Sequence, residues 1–152
     1  LRALCLVLAV TPLRVITRTP ALARFRRLLG LNVFAYATLH LLCYAWLDMG
    51  LEVADIAKDI AKRPFILVGF AATVLLLLLA ATSFQRAQRW LGAKRWQTLH
   101  RAVYAVAVLA ILHFYWMRSG KQDFAEVAVY AAVLGLLLGW RVWQARHKRL
   151  QR

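Results

Sequence analysis

Three histidines carry the chemistry this sequence offers. His40, His100 and His113 each fall within long apolar stretches, where an imidazole facing hydrocarbon is costly and marks a functional position. Two of them share the stretch Arg95 to Arg118, RWQTLHRAVYAVAVLAILHFYWMR, one near each end. A helical rise of ~1.5 Å per residue sets their Cα atoms roughly 20 Å apart, enough for two stacked sites. Measured from Arg27 and Arg95 on the same scale, His40 lies about 20 Å deep, His113 about 27 Å and His100 about 8 Å. Helix tilt absorbs a mismatch of several ångströms. His40 and His113 therefore pair at one depth, and His100 belongs to a second site.

Few acids surround these imidazoles, which narrows the ligand. Zinc or a hard cation would want carboxylates or thiolates as well. Haem iron is satisfied by two axial imidazoles inside an apolar pocket. Such ligation leaves no open position, so the chemistry it implies is electron transfer rather than oxygen activation. The competing reading is structural: imidazoles that bond across helices to backbone carbonyls. A thirteen-residue step turns an ideal helix about 140° off one face, so His100 and His113 serve different sides unless the helix is locally irregular. His100 also lacks an evident second histidine. Its partner would be another residue type or lie upstream, or the second site would be empty. Tyr36, Tyr104 and Phe70 read first as core packing and second as porphyrin contacts. Arg101 and Arg118 read first as snorkelling and loop charge, second as partners for haem propionates. His147 stands in a basic tail, RHKRLQR, and reads as solvated.

The elements that must hold these residues are membrane spans. Of the 152 residues, 62% are apolar, well above the ~45–50% of soluble proteins, and they come in long uncharged runs. Leu1 to Leu13 is too short to span alone, since about 20 residues are needed. It reads as the end of a helix whose start is missing, stopping near Pro12, with no recognisable signal peptide. Spans follow at Leu28 to Leu47, Phe65 to Phe84, Arg95 to Arg118 and about Phe124 to Trp143, the Arg95 stretch being the helix around which the rest is built. IAKDIAKRP, between the second and third spans, suits a short amphipathic interfacial helix. Ser119 to Asp123 makes a turn. Cys5 and Cys43 have no metal-type spacing and read as small buried hydrophobes.

The net charge of +15 would suggest nucleic acid in a soluble chain. Here the basic residues cluster between spans, as the positive-inside rule requires, so no nucleic-acid partner is expected. The first and third connections and the C-terminal tail are strongly basic, which places them in the cytoplasm. Five of the six acids fall in the other two connections and the sixth, Glu126, at the adjoining start of the last span, which places those connections outside. Trp46 and Trp116 then mark the outer interface, and Trp90, Trp96, Trp140 and Trp143 the inner one. The expectation is an all-α integral membrane protein, a transmembrane helix bundle with five spans visible and six in the full chain, residues 1–152 forming one domain.

Several segments carry a family resemblance: RRLLGLNVFAYATLHLLCYAWLDMG, KRWQTLHRAVY, the following HFYW, VTPL and KRPFILVG. They resemble the MsrQ (YedZ) family, haem-binding membrane subunits of bacterial periplasmic methionine-sulfoxide reductase systems, within the ferric-reductase-like transmembrane superfamily. The resemblance runs from about Ala9 to Trp116 and weakens over the last span. It implies a six-helix protein of the bacterial inner membrane that carries b-type haem, one or two per chain. Such a protein takes electrons from quinol and passes them to a periplasmic molybdopterin subunit that reduces methionine sulfoxide. The family's motif histidines match His40, His100 and His113, which the resemblance makes haem iron ligands, His40 with His113 outside and His100 inside. It also brings an association with FMN, although the sequence holds no flavin fingerprint. Two rivals remain at this level. One is a non-redox transporter or assembly factor with proton-relaying histidines, which would call for polar residues at mid-membrane and Gly- or Pro-broken spans. The other is a haem protein with a different acceptor, ferric iron or oxygen, served by a flavin and nicotinamide domain on another chain.

Overall fold

The computed structural model describes residues 1–120 and 122–150. It consists of helices: α1 Arg2–Ile16, α2 Leu22–Cys43, α3 Val53–Lys62, α4 Pro64–Ala81, α5 Gln85–His100, α6 Ala102–Ser119 and α7 Ala125–Leu150. A π-helical turn, Tyr44–Asp48, closes α2. Among the described residues, four stretches are long and apolar enough to cross a bilayer, namely Leu22–Asp48, Pro64–Ala81, Gln85–Ser119 and Ala125–His147. The chain is thus an all-α transmembrane bundle, as its apolar runs imply. Part of the basic tail, together with Lys121 in the Ser119 to Asp123 turn, lies outside the described residues.

Local chemistry explains the boundaries. Arg63 precedes a proline and takes extended dihedrals, φ −108° and ψ 102°, because the proline ring disfavours helix at the residue before it. Pro64 then starts α4 at the position where a missing amide costs nothing. The amphipathic helix expected at IAKDIAKRP is α3. Asp59 ties it down, accepting from the Tyr44 hydroxyl at 2.8 Å and pairing with Arg63 at 2.9 Å.

Two expectations change. The first helix does not stop at Pro12 but runs on to Ile16. Proline has no amide to give the Leu8 carbonyl, and the Arg141 guanidinium on α7 supplies the donor instead, 2.7 Å away. The helix expected over Arg95 to Arg118 is two helices. Backbone bonds tighten from four-residue to three-residue spacing around Arg101, and Gly92, at φ 72°, breaks α5 earlier.

The core joins Leu4 and Leu8 of α1, Leu76 and Leu79 of α4, Val106 and Ala107 of α6, and Leu134 of α7. Packing is most extensive between α4 and α6, so the histidine-free α4 shares the central role expected of the Arg95 stretch. α2 leans on α1 and α4 and buries no residue fully. Its backbone makes almost no close approach to α6.

Candidate functional site

His40, near the end of α2, and His113, in the second half of α6, bring their rings near each other. Their ring centres lie 6.3 Å apart with planes at 72°. Depth counting pairs these two, and in the bundle their rings meet edge-on. Two imidazoles on opposite sides of one metal centre, each nitrogen about 2 Å from it, have ring centres roughly 6 Å apart. Among the described residues no group of three or more His, Cys, Asp or Glu is gathered to hold a bare ion. The pair therefore suits a metal whose remaining ligands come with it, as in a porphyrin.

His113 is held from behind. Its Nδ1 donates to the Phe65 carbonyl at 2.7 Å. A carbonyl only accepts, so Nδ1 carries the proton and Nε2 keeps a lone pair free for a metal. Fixing the far nitrogen this way is the usual support of a ligating histidine. Gly69, one turn further along α4, faces the same ring edge: a Cβ there would stand 2.8 Å from Nδ1 and 2.9 Å from Cε1.

His100 sits elsewhere, as expected, at the end of α5. It stacks on Trp96 with ring centres 4.1 Å apart, and its Nε2 lies 3.2 Å from the Thr82 hydroxyl. The Trp96 indole donates to the Thr82 carbonyl at 2.9 Å, which pins α5 to the end of α4. No second histidine accompanies it. His100 lines a cavity of about 240 Å³ whose polar wall includes Arg26, Arg27, Ser83, Gln88 and Trp96. Sites that enclose a drug-sized ligand run from ~300 Å³ upward, so these walls would enclose part of such a ligand.

The remaining candidates resolve individually. Arg118 pairs with Asp123 at 3.0 Å and Glu126 at 2.6 Å, which is the loop-charge role. Tyr104 lies under the Arg141 guanidinium, 5.3 Å from ring centre to carbon. Tyr36 is 68% exposed and Phe70 37%, so neither is a core residue. Sequence reasoning missed the α4 support for His113, because a backbone carbonyl and a glycine carry no chemical label. The only available sign was Gly69 standing four residues after Phe65, one helical turn on. It also missed Thr82 and Trp96, which meet His100 only through the fold.

The family described as the ferric reductase like transmembrane component matches residues 2–111. A protein of Polaromonas naphthalenivorans, the protein-methionine-sulfoxide reductase heme-binding subunit MsrQ, is 70% identical over 94% of this chain and 65% of its own length. Proteins of the same name are 59% identical in Ralstonia nicotianae, over 92% of this chain and 64% of theirs, and 56% identical in Bordetella pertussis, over 94% and 70%. The chain thus spans about two thirds of the length of these relatives. No solved structure matches it. With its family match over most of the sequence and these levels of identity, the chain belongs to the ferric-reductase-like transmembrane family and, within it, to the MsrQ group.

Proposed function

We propose that this chain is the haem-carrying electron-transfer subunit of a methionine-sulfoxide reductase system, with one haem-binding domain over residues 1–152. It resides in the bacterial inner membrane with its C-terminus in the cytoplasm. Electrons enter from quinol and leave to a periplasmic molybdopterin subunit that repairs oxidised envelope proteins. One observation carries the reading: the rings of His40 on α2 and His113 on α6 lie 6.3 Å apart, the spacing of two imidazoles that share one metal. The relatives' name, a heme-binding subunit of protein-methionine-sulfoxide reductase, supports it. When bound, haem b supplies a one-electron couple that the polypeptide lacks.

The residues divide the work. His40 and His113 would hold the haem iron at the outer site. The Phe65 carbonyl keeps His113 in the tautomer that offers Nε2. His100 is the ligand at an inner site, where Arg26 and Arg27 line the cavity and supply positive charge for propionates. The acidic stretch around α3, with the exposed Glu52 and Asp55, adjoins the outer pair through α4 and offers a surface for the partner subunit.

Reconstitution tests the whole path. The protein is placed in liposomes with a quinol, and haem reduction is followed optically. Adding the periplasmic subunit and a methionine sulfoxide should reoxidise the haem. Haem that quinol cannot reduce, or that the partner and substrate cannot reoxidise, would remove this assignment.

A further inference from the structure

We propose that α4, which bears no histidine, sets the orientation of the His113 ligand through a two-part seat: the Phe65 carbonyl and the bare backbone at Gly69. The inference rests on the reading of His113 as a haem ligand and deepens it. Its physical basis is local. The Phe65 carbonyl lies in the first turn of α4 and has two lone pairs. Helix geometry directs one to the amide of residue 69, which leaves the other for His113 Nδ1 at 2.7 Å.

For the ring to reach that carbonyl, its Nδ1–Cε1 edge must lie against α4 where residue 69 would project its side chain. A Cβ at residue 69 would come to 2.8 Å from Nδ1, closer than such contacts are found. Any residue larger than glycine therefore forces the ring to turn or α4 and α6 to separate. Either movement breaks the bond to Phe65. Backbone freedom is not the reason for glycine here, since residue 69 sits within α4 and alanine is the better helix former. Space for the imidazole is the reason. Gly135 and Gly139 of α7 make the contrast, because a Cβ at either meets nothing within 4 Å. Gly69 and Phe65 are thus positioning residues that act through His113.

The experiment compares Gly69→Ala with Gly135→Ala, each alone and in a His113→Ala background. Haem content, midpoint potential and thermal unfolding are measured on protein purified from haem-supplemented cells. Gly69→Ala should weaken haem binding at the His40/His113 site roughly 10–100-fold, the usual effect of removing a ligand's outer support. Haem that remains should have a raised midpoint potential, because an imidazole without its Nδ1 bond is a poorer donor to ferric iron. Gly135→Ala should change neither quantity. In the His113→Ala background Gly69→Ala should leave unfolding unchanged or improve it, since the ring it collides with is gone.

Wild-type affinity and potential in Gly69→Ala would overturn the inference. If Gly69→Ala does not fold, the double variant decides: a folded double variant supports the seat, and a misfolded one overturns it. Wild-type protein without haem at this site would refute the functional reading instead, and the unfolding comparison would still judge the contact between residue 69 and His113.

Discussion

Arg141 offers a prediction that can be worked from the structure. Pro12 leaves the Leu8 carbonyl without its helical donor, in a stretch where Leu8 itself is 1% exposed. The Arg141 guanidinium fills the place, with Nη2 at 2.7 Å from that carbonyl and 3.2 Å from the Thr11 hydroxyl. A hydrogen bond from a charged donor contributes about 1.5–3 kcal/mol. Cross-helix bonds in membranes measure lower, averaging ~0.6 and reaching ~1.7 kcal/mol, because the unfolded reference also finds partners. Arg141 Nε and Nη1 are buried without hydrogen-bond partners, which offsets part of the gain, and the Tyr104 ring beneath restores some of it. Arg141→Met keeps an apolar stem and removes the charge, so it should lower stability by about 1–2 kcal/mol. Pro12→Ala restores the missing amide and should stabilise by up to ~3 kcal/mol. In that background the Leu8 carbonyl no longer needs Arg141, and Arg141→Met should cost at most about 0.5 kcal/mol. Unfolding in mixed detergent micelles, followed by circular dichroism, gives all four stabilities. An equal loss in both backgrounds would refute the claim that Arg141 stands in for the proline's missing amide.

Other perturbations follow from single contacts. Thr82→Val removes the hydroxyl beside His100 Nε2 at nearly constant volume. It should alter only the spectral component that His100→Ala abolishes, and a change in the His40/His113 component would count against two separate sites. Arg118→Gln breaks the pairs with Asp123 and Glu126. Arg118 is 30% exposed, so the cost should be at most about 1 kcal/mol. It should shrink further in high salt, and a larger loss measured by thermal unfolding would show that the loop charge holds α7 in place.

Much of this architecture is written in the order of residue types. Uncharged runs of Leu, Ala and Val announce the spans, and the span expected from Phe65 begins one residue earlier, at Pro64. Depth counting pairs His40 with His113 because both spans begin at basic anchors and run the same way, so one-dimensional distance survives folding. It fails where backbone geometry intervenes. Pro12 reads as a stop, yet the helix runs on to Ile16, and the donor that replaces the proline's amide comes from Arg141, 129 positions later. The tightened backbone at Arg101 divides the Arg95 to Arg118 stretch, which reads as one helix. The support for His113 is invisible for another reason: it consists of a main-chain oxygen and an absent side chain. His100 shows the limit most clearly, since its partners Thr82 and Trp96 are ordinary residues until α5 folds back onto the end of α4.

The account stands on the pairing of His40 with His113, and haem stoichiometry joined to the optical spectrum tests it most directly. Wild-type protein, purified after haem-replete expression, should show the reduced-minus-oxidised bands of low-spin b haem. His40→Ala and His113→Ala should each remove the same component, while His100→Ala leaves that component in place. Colourless wild-type protein, or a pair of variants that both keep the component, would contradict the account.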